Sequence, residues 1–277
     1  MLLNLHIDPI IKNALFEDLP YIDLSADLLF DDSHKSCAKL ISKDEGVLCG
    51  VNLFARTFRL VDNSTECKIF KNDGQTFSKG DIICEINGNT KSILKAERVA
   101  LNFLSHLSAI STKTSTFINI IAGTNAKIAD TRKTIPNLRA LQKYAVMVGG
   151  GINHRYNLSD AIMLKDNHIA AHGSIEKAVK AARAKCGHTV KVEVEVKNLA
   201  EVAEAVTSKA DIIMLDNFMP NLAKQAIDLI SSAAIVEVSG NITEENLLSY
   251  AKTGVDVISV GALTHTVKTS DFSLLID

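Results

Sequence analysis

The chain is 277 residues long, 47% hydrophobic and 22% charged, with a formal net charge of −2. This length and composition leave room for a full core and two domains, and they exclude a low-complexity or disordered chain. The near-neutral balance excludes a global basic field for nucleic acid or an anionic membrane, and no apolar run reaches membrane-spanning length.

The first residues, Met1-Leu2-Leu3-Asn4, carry no basic segment or cleavage site of a secretory signal. The five cysteines, Cys37, Cys49, Cys67, Cys84 and Cys186, form no Cys-x-x-Cys pair. Their odd number and wide spacing point to reduced thiols and a soluble, cytoplasmic protein.

In chain order, residues 8–20 read as a short helix with Asp8 as N-cap and Pro9 in the first turn. Residues 36–93 read as a small, mostly β unit. Its expected strands are Ala38–Ile41, Gly46–Leu53, Thr57–Val61, Glu66–Asn72 and Asp81–Asn87, with turns at Asp44–Gly46, Asp73-Gly74 and Lys79–Asp81. Residues 91–121 are strongly helical: Ala96, Ala100, Phe103, Leu104, Leu107 and Ile110 recur at helical spacing, and Gly123 ends the run.

Short apolar runs then stop repeatedly at polar or glycine residues. They are Ala126–Ala129 into Asp130, Ala161–Leu164 into Lys165, Val190–Val194 into Glu195, Ile212–Leu215 into Asp216, Ile235–Val238 into Ser239-Gly240, and Val255–Val260 into Gly261. Such a repeat predicts parallel strands joined by helices, with the chemistry at the C-terminal strand ends. Cations come first, acids next and glycines last, an order suited to an anionic substrate, a divalent metal and a phosphate in one mouth. Residues 1–122, joined by the tail 264–277, are expected to form one domain, and residues 123–263 a catalytic barrel.

Lys191, Glu193, Glu195 and Lys197 alternate with valines. A closed barrel would turn the valines to the surrounding helices and the charges inward, where an unpartnered carboxylate costs several kcal/mol, roughly, or loses its charge. An exposed edge strand with a solvated face is the alternative. Lys165 is expected within ion-pair reach of Glu195. Glu195 and Asp216 are candidate Mg2+ ligands, because magnesium takes oxygen donors. Ser239-Gly240-Asn241 and Gly261-Ala262 suit backbone approach to a phosphate, or are ordinary turns. Arg132, Lys133, His154, Arg155 and Lys165 form the cationic set; Arg139 and Lys143 read as structural. His168 and His172 lie four apart without a third ligand, which argues against zinc.

At this point the motifs resemble a known family. Asp130-Thr-Arg-Lys-Thr-Ile-Pro-Asn-Leu-Arg-Ala-Leu-Gln-Lys-Tyr-Ala-Val146, Gly149–Arg155 and Leu164-Lys-Asp-Asn-His168 are similar to the quinolinate phosphoribosyltransferases. So are Glu17-Asp18-Leu19, Glu97-Arg98, Glu193-Val-Glu195, Met214–Asn217, Val238-Ser-Gly240 and Ile258–His265. The resemblance implies an α/β fold, with an N-terminal α/β sandwich domain and an atypical, incomplete α/β barrel. It implies a homodimer or a hexamer of dimers with shared active sites. The implied reaction joins quinolinate and phosphoribosyl pyrophosphate, with Mg2+, to give nicotinate mononucleotide, pyrophosphate and CO2 in NAD biosynthesis.

Position by position, Arg132, His154 and Arg155 resemble the holders of the dicarboxylate, with Thr131 beside them. Lys133 and Lys165 resemble contacts to substrate and sugar-pyrophosphate, and Glu195 and Asp216 the acids near ribose and metal. Ser239, Gly240 and Gly261, with Asn241, Val260 and Ala262 adjoining, resemble the loops around the 5′-phosphate. Arg98 resembles an arginine that reaches the neighbouring subunit's site. Two positions depart from the family: Ile135-Pro136-Asn137 stands where Thr-Pro-Gly is usual, and Ser239-Gly240-Asn241 where Ser-Gly-Gly is common. Glycine permits backbone angles that asparagine adopts less readily.

Three other readings compete. A molybdenum-transport-associated sister group shares the fold, but the Lys165-Asp166-Asn167-His168 run argues against it. A Schiff-base aldolase would use Lys165. A carrier-like β module at residues 66–93 lacks a modified-lysine turn.

Overall fold

The computed structural model describes residues 3–276; residues 1, 2 and 277 of the expected N-terminal domain and tail lie outside the described residues. The chain forms two compact units. The first runs to Ser115, takes in Thr134–Gly150 and is completed from Leu263 onward; the second comprises Thr116–Lys133 and Gly151–Ala262.

The first unit begins with α1 (Asn4–Asp18) and α2 (Leu24–Leu29), followed by β1 (Lys35–Ser42), β2 (Gly46–Val47) and α3 (Val51–Val61). Strands β3 (Glu66–Ile69), β4 (Thr76–Phe77) and β5 (Ile82–Asn89) lead into the long helix α4 (Thr90–Ile120). Two sequence expectations fail here. Asp8 is not an N-cap: α1 already begins at Asn4, Pro9 lies inside it, and Asp8 instead receives Nε and Nη2 of Arg56 at 2.9 and 2.6 Å. The strands expected at Gly46–Leu53 and Thr57–Val61 are largely one helix. Val51, Phe54, Ala55 and Phe58 are buried at spacings of three and four, so packing of one helical face outweighs the β propensity of the run.

The sheet of this unit has the order β12-β1-β5-β3, where β12 (Phe272–Ile276) closes the chain's return. β1 runs antiparallel to both neighbours, with Leu40 opposite Leu274 on one side and Cys84 on the other. Its inner face meets α3 and α4 in a dry cluster that includes Ala38, Leu40, Phe54, Phe58, Ile86 and Leu104.

The same unit holds α5 (Arg139–Val148). Gln142, fully buried on α5, ties three segments together. Its Oε1 accepts from Ile135 N at 2.9 Å, and its Nε2 donates to Thr264 O at 3.0 Å and lies 2.8 Å from His106 Nε2. At the end of α5, a Cβ on Gly149 would meet Ser111 O at 2.4 Å, so only glycine permits this approach to α4.

The second unit contains six parallel strands: β6 (Lys127–Ala129), β7 (Ile162–Leu164), β8 (Val192–Val196), β9 (Ile212–Asp216), β10 (Ile235–Ser239) and β11 (Val257–Ser259). Their order is β6-β11-β10-β9-β8-β7, and an isolated parallel bridge from Ala129 to Ile152 adds to the β6 side. This is the incomplete α/β barrel.

Helices α6 (Asp166–His172), α7 (Ile175–Arg183), α8 (Leu199–Thr207), α9 (Pro220–Ile230) and α10 (Glu244–Ala251) alternate with the strands, and α11 (Ala262–His265) follows the last. Local signals set their starts. Ser174 and Asn198 accept from backbone N–H groups of the first turns of α7 and α8, and Pro220 opens α9. No described helix is long and apolar enough to cross a membrane.

Candidate active site

Parallel strands deliver their C-terminal ends to one side of the sheet. Asp130 follows β6, Lys165 follows β7, Asp216 and Ser239 end β9 and β10, and Val260-Gly261 follow β11. Register sets Ser239 beside Asp216, and Glu195 beside Met214.

The expected ion pair is present: Lys165 Nζ lies 2.5 Å from Glu195 Oε2. A second pair flanks it, with Lys197 Nζ 2.9 Å from Asp166 Oδ2. The Lys197 bond holds the Asp166 carboxyl below its ordinary range. Asp166, with Asp216 and Glu195 nearby, raises the Lys197 ammonium in turn. His168, excluded above as part of a zinc pair, is a local brace: its Nδ1 accepts from Lys165 N at 3.0 Å.

β8 is an inner strand of the sheet, so the edge-strand alternative does not hold. Its valines are fully buried, and Glu193 is 1% exposed. Below the strand ends, the interior holds Glu193 of β8, Glu237 of β10 and His154 of a loop. His154 Nε2 lies 3.2 Å from Glu193 Oε2 and 3.5 Å from Glu237 Oε1. Its Nδ1 accepts from Arg155 N at 2.8 Å, which leaves the proton on Nε2, facing the carboxylates. Ser259 Oγ donates to Glu237 Oε1.

Burial, and next the neighbouring Glu193, push the Glu237 carboxyl up to about 7. One acid of the pair thus holds a proton near neutrality, the outcome expected when a carboxylate is buried beside another. Among the described residues these three side chains form the group close enough to hold a metal ion. The alternating Val-Glu pattern placed Glu193 inward, but no linear pattern joined it to Glu237 and His154. Their strands are separated by β9, and His154 comes from a loop.

His154 is itself positioned by Asp130, which is fully buried and accepts His154 N at 2.9 Å and Asn153 Nδ2 at 2.6 Å. Arg155 donates through Nη1 to Ala161 O at 2.8 Å, while its Nε is buried and donates to nothing. Burial, then the adjacent charge of Arg132, lowers the Arg155 guanidinium, and Glu193 and Asp160 oppose this. The positive charge of Arg132 thus acts on the Arg155 guanidinium. Lys133 is exposed, and its backbone N donates to Thr131 Oγ1 at 3.0 Å.

Beyond β9 and β10 the backbone turns through left-handed residues. Asn217, Gly240 and Asn241 have φ of 57°, 102° and 52°. Asn137 adopts 65°. Both asparagines that replace the family's glycines therefore occupy the conformation that asparagine reaches most readily after glycine. Val260 and Gly261 link β11 to α11, which Ala262 opens. Arg98 is exposed on α4, in the first unit.

A parallel sheet that gathers its polar groups at the C-terminal strand ends has the architecture of a barrel enzyme, here with cationic side chains at the rim that suit anions. Comparison with known proteins gives the particular family. Residues 23–108 match the N-terminal domain of quinolinate phosphoribosyl transferase, and residues 110–275 match its C-terminal domain. A probable nicotinate-nucleotide pyrophosphorylase [carboxylating] of Bacillus subtilis is 40% identical, over 98% of this chain and 93% of its own length. A mitochondrial quinolinate phosphoribosyltransferase [decarboxylating] of Nicotiana tabacum is 38% identical, over 97% of this chain and 81% of its own. The crystal structure of NadC from Streptococcus pyogenes superimposes with a TM-score of 0.97 at 44% identity, covering 100% of this chain and 98% of that one. The chain belongs to the quinolinate phosphoribosyl transferase family.

Proposed function

We infer that this enzyme transfers the phosphoribosyl group of phosphoribosyl pyrophosphate to quinolinate with loss of CO2, forming nicotinate mononucleotide and pyrophosphate for NAD biosynthesis. Family membership supports the reaction. The observation that carries the assignment to this site is the Arg132–Arg155 pair, with the buried Arg155 Nε that has no acceptor. A half-buried guanidinium with an unmatched donor, under the field of a second positive charge, is stabilised by an anion, and quinolinate brings two carboxylates. His154 stands beside Arg155, its backbone N held by Asp130. Lys133 and Lys165 supply positive charge for sugar-pyrophosphate, and Thr131 braces the loop that carries Arg132.

As the bond to pyrophosphate breaks, positive charge develops on the ribose. Glu195 and Asp216, at neighbouring strand ends, stabilise it. Attack by the pyridine nitrogen then makes a quaternary ring. The bond to the 2-carboxyl breaks, CO2 leaves with its electron pair left on the ring carbon beside that nitrogen, and a proton takes its place. No covalent bond to the enzyme is required. Ser239, Gly240 and Asn241, with Val260, Gly261 and Ala262, surround the 5′-phosphate.

Glu195 and Asp216 offer an all-oxygen donor set, which fits Mg2+ completed by substrate oxygens. Bound there, the ion supplies neutralisation of pyrophosphate charge. Lys165 is ion-paired and 45% exposed rather than desolvated, which disfavours a Schiff-base role.

Phe16, Tyr21, Ile22, Leu24, Leu28 and Leu29 form an exposed apolar row on and between α1 and α2. The row supports assembly of chains into a homodimer or a hexamer of dimers. Arg98 then serves a neighbouring site. The free cysteines support a reducing, cytoplasmic setting.

The deciding assay supplies quinolinate, phosphoribosyl pyrophosphate and Mg2+. Nicotinate mononucleotide and CO2 are expected in equal amounts, and no product with nicotinate as acceptor. Equal use of nicotinate overturns the reading.

A further inference from the structure

Two hydrogen bonds join the acid at the end of β9 to the loop after β10. Asn217 Nδ2 donates to Asp216 Oδ2 at 3.0 Å, and Asn217 Oδ1 accepts from Asn241 Nδ2 at 3.1 Å. The carboxamide in the middle is seated on the next strand's turn. Asn217 N donates to Ser239 O at 2.8 Å, and a Cβ on Gly240 would fall 2.2 Å from Asn217 Oδ1. Asn241 is fixed from its other side by Asn246 Nδ2, which donates to Asn241 O at 2.9 Å. An amide is suited to this place because it donates to a carboxylate at one end and accepts at the other; neither aspartate nor leucine does both. Bonds in such a chain polarise one another, the charged acceptor most of all.

We propose that Asn217 is a positioning residue that couples Asp216 to the Ser239–Asn241 loop, and that Asn241 completes this coupling with its side chain. The inference rests on the functional reading above and deepens it. The acid facing the ribose and the loop facing the 5′-phosphate are held at one spacing, matched to the distance between those two groups on a phosphoribosyl substrate. Removing either amide lets the two move independently, and recognition of the sugar phosphate falls while recognition of the pyridine acid does not. Gly240 takes part through its lack of a side chain, which leaves room for the Asn217 carboxamide.

The test is a double-mutant cycle of Asn217→Gly, Asn241→Gly and both together, glycine being chosen because it keeps the left-handed backbone. In each variant KM for phosphoribosyl pyrophosphate is expected to rise about 3- to 10-fold, with KM for quinolinate changed by less than about 2-fold. The double variant is expected to be no worse than Asn217→Gly alone. Multiplying effects, or equal shifts in both KM values, overturn the coupling. Unfolding midpoints measured on the same variants check that each is folded. An inactive parent enzyme would fail the functional reading itself, a result distinct from either outcome of the cycle.

Discussion

The two units bury opposite kinds of surface. The antiparallel sheet of the first packs Leu40, Phe54, Phe58 and Ile86 into an interior made of hydrocarbon. The parallel sheet of the second encloses Glu193 and Glu237 with His154 between them. A carboxylate among the phenylalanines would have no partner and would cost several kcal/mol, roughly. In the barrel the cost is reduced by a proton on one acid, an imidazole N–H and a serine hydroxyl. The sheet cluster of the first unit thus gains its stability from apolar burial. The second gives some up to hold charge at the candidate site, and the comparison can be broken at defined positions.

The largest effect is expected at the barrel's rim. Asp216→Ala or Glu195→Ala should lower kcat at least about 1,000-fold, about 4 kcal/mol of transition-state stabilisation, with an unchanged circular dichroism spectrum. Full turnover in either variant would remove that residue from the chemistry. In the hydrocarbon unit the converse holds. Phe54→Ala should lower stability by about 3 kcal/mol or more in denaturant titration, while the folded fraction keeps its kcat.

The buried acids sharpen the contrast through pH. Glu237 is raised from 4.5 to about 7, so the folded state keeps a proton that the unfolded chain releases. The stabilisation is complete below about 4.5 and is lost as pH rises through about 7, an effect of about 3 kcal/mol. Glu237→Gln should flatten the unfolding free energy over that window, and an unaltered slope would show that another group carries the proton.

Mixed dimers come next. Arg98→Ala chains combined with Lys165→Ala chains should recover part of the activity that each lacks alone. No recovery in confirmed mixed dimers would mean that each chain works with its own Arg98. The smallest effect is local: Asn137→Ala should cost about 1 kcal/mol at its left-handed backbone, and Asn137→Gly almost nothing, both read from thermal melts.

Legibility in the sequence followed the same divide. Strands β6 to β11 were visible because each is an apolar run cut off by a polar residue at the sheet's end, and those stops were also the candidate site. The Lys165–Glu195 pair came from strand-end position alone. The segment Val51–Val61 was not legible as a helix, since its valine and phenylalanines favour strands locally and only packing against the sheet selects the other form. The two-residue β4 offers too few residues for a pattern, and in β12 the exposed Leu275 and Ile276 break the alternation. The His154–Glu193–Glu237 group and the Asp216–Asn217–Asn241 chain were hidden for another reason. Each is assembled from separate strands and loops, and the order and register of parallel strands are properties of the sheet, which no stretch of chain records.

Gln142 restricts what mutation can try at one buried place. Glutamate keeps the acceptor for Ile135 but offers Thr264 no donor, methionine fills the volume but strands two peptide groups and an imidazole, and asparagine is one methylene too short to span them. Drift at this codon is therefore confined to silent changes unless the backbone at Ile135 or Thr264 moves with it.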